Sequence, residues 1–496
     1  MSGAAPRGRT WAAVALLGAL AACDGATDPE GSRLIRVVQG GTGADTVLAV
    51  LAAPMIVEVR DASGRPAAGV RVESLGVDSA GTRGSSSRRE MYACPVSQGW
   101  CLNYPEGDGW VSVTYGILDT TDATGRIEAR VQFGTLAGAS RVLISVPELR
   151  QERTVSFTTR PGALAAVLAS VPDTTLYVGT SYALTARAAD RHGNARPEPV
   201  TLTSVTPTVA ALGSGRVTTL AIGRGRVVAQ AGAFSDTAFV SVPPRARLAA
   251  VSARSLLVLV DSDGSGRREV VAARGIDGDA LPSWAPDGAH LLYQEQRSIA
   301  AAQRRLLTDT LGGWTPFLAI EAGFAMGMQG TFSAVEQAVY LFGRRVDPDG
   351  RAGVFRTTSS GTDPVFIATG TQPAPSPDGS QVAYVSGTDL VVRDVATGAE
   401  RIVAANPQYP RWSPRGDLIA FAGLDTEGGI RVVRPDGTGS RTISRTAFGS
   451  LPSWSPDGEW VAVAHNVGGI VLVRVADGLE LPLSGTGDLG EPAWRP

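Results

Sequence analysis

From Arg33 to about Arg160 the chain alternates apolar and polar residues in short runs broken by turn-forming tetrapeptides. Met55-Ile56-Val57-Glu58-Val59-Arg60 is followed by Asp61-Ala62-Ser63-Gly64, and Gly69-Val70-Arg71-Val72-Glu73 comes soon after. Asp122-Ala123-Thr124-Gly125 then precedes Arg126-Ile127-Glu128-Ala129-Arg130-Val131. A period of two puts every second side chain on one sheet face, and each Asp-x-x-Gly turns the chain back. Residues 33–160 therefore read as a sandwich of antiparallel sheets. Residues 161–244 read the same way. They carry an Asp190 to Gly193 hairpin, a Ser204 to Ala210 stretch and a last strand at Asp236. Pro243-Pro244 reads as a stiff hinge into the remainder.

Beyond Arg245 the pattern repeats. Pro282-Ser283-Trp284-Ala285-Pro286-Asp287-Gly288 returns at Pro373, at Pro410 and at Pro452, and in truncated form as Pro492-Ala493-Trp494. The intervals are 91, 37, 42 and 40 residues, and the copy inside the long interval survives as Thr331-Phe332-Ser333-Ala334. Three apolar runs follow each copy, such as Gln381–Val385, Leu390–Asp394 and Glu400–Val403. Four strands per ~40 residues describe one blade of a propeller. The Pro-x-Trp segment predicts the innermost strand, where a missing N–H is tolerated, with Trp filling the space between blades. In the turn, Pro fixes φ, Asp caps and Gly takes positive φ. Arg415 replaces Asp in one copy, so that turn is expected to lose its cap and keep its Gly.

The Trp-Ser-Pro-Asp-Gly signature resembles the TolB-like, PD-repeat class of β-propellers over residues 245–496. Five sets begin at 282, near 330, and at 373, 410 and 452. Residues 248–273 hold only three strands, so the terminal Pro492-Ala493-Trp494 is expected to complete a sixth blade and cover the open edge. Residues 33–160 resemble the invasin-type bacterial Ig-like domain, apart from a Ser/Arg-rich insert at about 78–110, and residues 161–244 resemble the group-2 bacterial Ig-like domain. The expected fold is all-β: two Ig-like β-sandwiches followed by a six-bladed β-propeller closed by the C-terminal strand.

At the N-terminus, Arg7 and Arg9 precede an apolar run from Trp11 to Leu20, too short to span a bilayer. Residues 1–22 read as a signal peptide. Leu20-Ala21-Ala22-Cys23 resembles the bacterial lipobox, which makes Cys23 the lipid acceptor and 23–32 a tether. An ordinary secretory signal is the alternative. Asp24 resembles an enterobacterial inner-membrane retention signal, and the choice of membrane stays open. With Cys23 lipidated, Cys94 and Cys101 remain, and an oxidising envelope predicts a disulfide between them that pins the insert.

Charge narrows the partners. Charged residues make up 19% of the 496, the net charge is −2 and all 45 basic residues are Arg, so no global field favours nucleic acid or an anionic membrane. Asp261-Ser262-Asp263-Gly264-Ser265-Gly266 faintly resembles a calcium loop, but Ala272 stands where an EF-hand needs Glu, and a turn is expected instead. His192, His290 and His465 are too scattered to form a metal triad. No Gly-x-Ser-x-Gly elbow and no Lys-bearing phosphate loop occurs. The expectation is a non-enzyme with no cofactor, metal or catalytic residue. If a ligand binds, the expected place is the loop face opposite the Ser-Pro-Asp-Gly turns, carrying Arg297, Tyr409, Arg411, Asp425, Glu427 and His465. The leading reading is a lipid-anchored cell-envelope scaffold, facing periplasm or exterior, whose propeller engages a protein or polysaccharide. A propeller lyase or hydrolase, and an adhesin binding through its Ig-like units, are the alternatives. Clustered His or acidic residues at the mouth would mark the enzyme, and an apolar or aromatic patch a protein partner.

Overall fold

A computed structural model describes residues 34–77, 92–96, 116–169, 174–254, 256–269, 282–298, 303–310, 317–318, 324–335, 338–345, 350–358, 363–425, 428–447 and 450–496. Among these the chain is all-β, with a 3-10 turn at Pro147–Leu149 between two of the strands. Cys23 and Cys101 lie outside the described residues, whereas Cys94 is buried on the strand Tyr92–Pro95. The chain divides into two compact units. One comprises residues up to 165 together with 189–196, and the other 166–188 with 197–496.

In the first unit a four-stranded and a five-stranded sheet share one core. Met55, Val57, Val59, Ile127, Ala129 and Val131 from one sheet meet Val142, Ile144, Val155 and Phe157 from the other. The period-two pattern explains this, since Arg126–Gln132 shows alternating exposed and buried positions over its first four residues. Glu58 is buried beside this core and held by Arg60 (2.6 Å) and Arg126 (3.1 Å). Their hydrogen bonds, Arg60 first, keep its carboxyl below the usual range. The Asp190 to Gly193 turn belongs to this unit. Asp190 accepts the His192 and Asn194 N–H groups (2.8 and 2.9 Å), and Asn194 donates to the Thr135 carbonyl (2.7 Å).

The second unit starts with a small sandwich. Thr174–Thr175, Phe234–Val242, Gly223–Ala231 and Thr201–Ser204 form one sheet, and Ser181–Ala183, Arg216–Thr219 and Ala210–Gly213 another. Leu184, Ala210, Val217, Val227 and Ala238 are buried together there.

Six four-stranded antiparallel sheets follow. The first takes Arg247–Ser252, Leu257–Asp261 and Arg268–Glu269, with Leu489–Trp494 as its fourth strand. The second spans Ser283–Trp284 to Phe317–Leu318, and the third Phe324–Phe332 to Val365–Ala368. The fourth runs from Thr371–Pro375 to Glu400–Ala405, the fifth from Pro407–Trp412 to Arg441–Ser444, and the sixth from Ser453–Trp454 to Glu480–Pro482. The leading strands of successive sheets, each holding the Pro-x-Trp segment or its equivalent, lie beside one another in order. The sixth then adjoins Leu489–Trp494, which in turn adjoins the second. Leu489–Trp494 pairs antiparallel with Arg247–Ser252, bringing Leu248 opposite Trp494 and Ala249 opposite Ala493. Both faces of these sheets are covered. Leu248, Val258, Trp460, Leu472 and Trp494 pack between the first and sixth, and Ala249, Leu257, Trp284 and Tyr293 between the first and second. Two covered faces explain why strands such as Trp460–Ala464 read as unbroken apolar runs.

The turn after each leading strand is built around its serine, a role the repeat did not suggest. Ser376 and Ser455 are buried. Ser376 Oγ donates to Asp378 (2.6 Å) and accepts the Gln381 N–H (2.9 Å), and Ser455 treats Asp457 and Trp460 likewise. Gly379, Gly416 and Gly458 take φ of 72, 71 and 70°, which a side chain would strain. The copy with Arg415 does not lose its carboxylate, contrary to expectation. Asp417, two residues on, receives the Ser413 hydroxyl (2.6 Å), and Arg415 reaches Glu459 instead (3.4 Å).

Pro243-Pro244 does not act as a free hinge. Ser262 Oγ donates to the Pro244 carbonyl (2.6 Å) and accepts the Ala246 N–H (3.0 Å), and the Tyr177 hydroxyl lies 3.2 Å from it. Arg245 stacks on the Tyr177 ring (4.4 Å), and Thr175 Oγ1 accepts the Ser484 N–H (2.8 Å). The small sandwich is thus fastened to the first sheet and to the segment leading into its closing strand. Asp261 and Asp263, the carboxylates of the calcium-like loop, are engaged by Arg247 (2.8 Å) and Ser265 (2.6 Å) in an ordinary turn.

Candidate functional site

The six sheets have two chemically different ends. At one lie the serine-centred turns. At the other, the leading strands begin and the second and third strands of each sheet are joined. These joining turns are pinned to the segments entering the leading strands: Leu424 N–H donates to Asn406 O (2.9 Å), and Asn466 N–H to Thr446 O (3.0 Å).

Within the leading strands, the residue before the proline is unusual. Gln372, Tyr409 and Glu491 occupy this position in three copies and have φ of 53, 50 and 45°. Left-handed backbone at a non-glycine residue costs about 1 kcal/mol or more, and three occurrences at one repeat position mark a built feature. The pairing shifts there. Gln408 faces Ala422 but Arg411 faces Ala420, and the fourth sheet shifts between Thr371 and Ala374. Each is a bulge that re-aims the strand start. The Tyr409 N–H donates to Gln372 Oε1 (2.6 Å), linking the bulges of neighbouring sheets.

Tyr409 and Arg411 lie on the strand Pro407–Trp412, and Arg297 on the strand His290–Ser298, whereas the repeat placed all three on loops. Asp425 does occupy a joining turn. Both of its oxygens are held by Arg431 (2.6 and 2.7 Å), so it shapes the turn. Glu427 lies outside the described residues. His465 is in the joining turn of the sixth sheet, where Nδ1 accepts the Val467 N–H (3.2 Å). The structure thus brings Tyr409, Asp425 and His465 to one end. It adds two side chains that the sequence reading missed: Leu424 is 57% exposed and Val467 87%. Both occupy joining turns of adjacent sheets. Their available signal was apolar character in otherwise polar turns.

Arg411 differs from every other occupant of its repeat position. Its guanidinium donates to the Pro410 carbonyl (2.9 Å), and among the described residues no carboxylate pairs with it. Desolvation by the surrounding protein pushes its pKa down to about 10. Its carbonyl accepts the Trp454 indole N–H (2.9 Å), as Ala493 O accepts that of Trp284 (3.0 Å). The repeated Trp therefore ties neighbouring leading strands together as well as filling space. Among the described residues no three His, Cys, Asp or Glu side chains converge as a metal site. The joining-turn end offers apolar tips and an aromatic side chain, and the desolvated Arg411 lies further along the same leading strand toward its serine turn, a set suited to recognition.

No protein-family model matches the chain. Over 98 residues it is 31% identical to the Tol-Pal system protein TolB of Gluconobacter oxydans, covering 18% of this chain and 22% of that protein. Over 123 residues it is 29% identical to the uncharacterized peptidase YuxL of Bacillus subtilis, covering 21% of this chain and 19% of that one. The chain thus spans about a fifth of the length of each of these curated relatives. Among solved structures, TolB from Acinetobacter baumannii aligns with a TM-score of 0.41 at 17% identity, over 56% of this chain and 80% of that one. The chain is thus similar to TolB over part of its length, and the repeated turn recurs among its six four-stranded sheets.

Proposed function

We propose that the chain is a lipid-anchored cell-envelope binding protein whose six sheets close as a propeller and dock a protein partner at the end bearing Tyr409, Leu424 and Val467. The observation that carries this reading is the pair of exposed apolar tips on adjacent joining turns, beside an aromatic residue in strained backbone. Scattered apolar residues need no explanation, but two on adjacent joining turns at the end where such a bulge lies favour a protein surface over a sugar. Cys23 supplies the anchor, and the two Ig-like sandwiches stand between anchor and propeller in the chain as spacers. A Cys94–Cys101 disulfide pins the insert of the first. The similarity to a Tol-Pal system protein supports an envelope role with protein partners.

Leu424→Asp combined with Val467→Asp tests this. Both sites are exposed, so the melting transition should stay within about 0.5 kcal/mol of wild type. The detergent-solubilised full chain should retrieve a specific envelope protein, and the double variant should lose it. Retention of polysaccharide on an array, with no protein retrieved by wild type, would overturn the reading.

A further inference from the structure

We infer that Arg411 is the anchor for a carboxylate group of the docked partner. This deepens the docking reading and rests on it for the source of the carboxylate.

The repeat makes Arg411 conspicuous. Between the proline and the aromatic position of the leading strands stand Ser283, Ala374, Ser453 and Ala493 in four of the other copies, and Thr331 in the degenerate one. These small side chains sit where neighbouring leading strands approach: the Ser283 and Thr331 hydroxyls are 3.3 Å apart, and Ser453 Oγ accepts the Trp494 N–H (2.7 Å). One copy alone places a long cation at this crowded position. A guanidinium has five N–H donors, and the one described bond takes it to the carbonyl of the preceding residue.

Several arginines of this unit meet a carboxylate, whereas Arg441 and Arg495 donate to carbonyls at the surface of their sheets. Arg247 meets Asp261, Arg267 meets Asp488, Arg431 meets Asp425 and Arg474 meets Asp477. Arg411 has no such carboxylate among the described residues and is partly desolvated, which costs stability while the site is empty. A serine would fill the position without that cost, as Ser283 and Ser453 do. The uncompensated charge is explained if its partner arrives with the ligand. A planar fork of donors matches a planar carboxylate through two parallel hydrogen bonds. An acidic side chain or chain-terminal carboxylate of the partner protein, reaching along the leading strands from the docking end, supplies that group.

The test is thermal melting of the full chain in sodium acetate against sodium chloride at equal ionic strength, for wild type, Arg411→Ser and Arg411→Lys. In chloride, Arg411→Ser should melt about 2 °C or more above wild type, because an unmatched charge is gone. Acetate should raise the wild-type midpoint saturably and leave Arg411→Ser unmoved, with Arg411→Lys intermediate. A lower midpoint for Arg411→Ser in chloride would show that the guanidinium is structural filling and overturn the proposal. Equal acetate shifts in wild type and Arg411→Ser would do the same. So would a larger shift with sulfate than with acetate, since the site would then prefer a tetrahedral anion. Partner capture is read separately. A specific acetate effect without capture sinks the docking surface alone, and capture without an acetate effect sinks the carboxylate anchor alone.

Discussion

The two ends of the six-sheet region are made from the same repeat and treat their polar groups in opposite ways. At the turn end, Ser376, Ser413 and Ser455 are each satisfied by a nearby carboxylate, and glycine relieves the backbone. At the far end, Gln372, Tyr409 and Glu491 hold left-handed backbone without glycine, and Leu424 and Val467 face solvent. The contrast shows where the repeat is constrained. The turn serves the packing of every sheet and tolerates change only when another residue compensates, as Asp417 does. The position before the proline varies from copy to copy (Leu281, Gln329, Gln372, Tyr409, Leu451, Glu491). Strained backbone and exposed apolar tips collect at the end that is free to recognise something.

The strongest way to break this picture is to remove the shared framework. Deleting Glu491 to Pro496 takes away Ala493 and Trp494, which pack into two inter-sheet cores, and the acceptor of the Trp284 indole. The loss should exceed about 4 kcal/mol and abolish the cooperative melting transition of the repeats. Survival of that transition would mean the first sheet does not need its fourth strand. A smaller effect, about 2 kcal/mol, is expected for Ser455→Ala, which removes the hydrogen bond to Asp457 and leaves the buried Trp460 N–H without its acceptor. A neutral result there would erase the claimed difference between the ends.

Much of this framework was legible in the chain. The repeat located the leading strands and turns, and the surplus Pro492-Ala493-Trp494 pointed to the incomplete first sheet with which it pairs. What escaped was whatever depends on neighbours in space. The serine hydroxyl's place at the centre of the turn follows from burial, which a motif does not display. Arg415 looked like the loss of a cap, yet the compensating Asp417 works from a different offset along the chain. Tyr409 and Arg411 were read as loop residues, whereas both lie on the strand Pro407–Trp412. Their strand position and the bulge arise from pairing with Ile419–Gly423. The Pro243-Pro244 segment read as a stiff hinge, and the Tyr177, Thr175 and Ser262 contacts that fasten its surroundings went unseen because they join distant segments.

The central claim, that one end supports and the other binds, is tested most directly by site-specific photocrosslinking in the intact envelope. A photoreactive residue would be placed at Val467 on the joining-turn end, and another at the exposed Pro456 on the serine-turn end. The account predicts a discrete protein adduct from position 467, lost on Leu424→Asp, and none from position 456. A discrete adduct from position 456 with none from position 467 would contradict it.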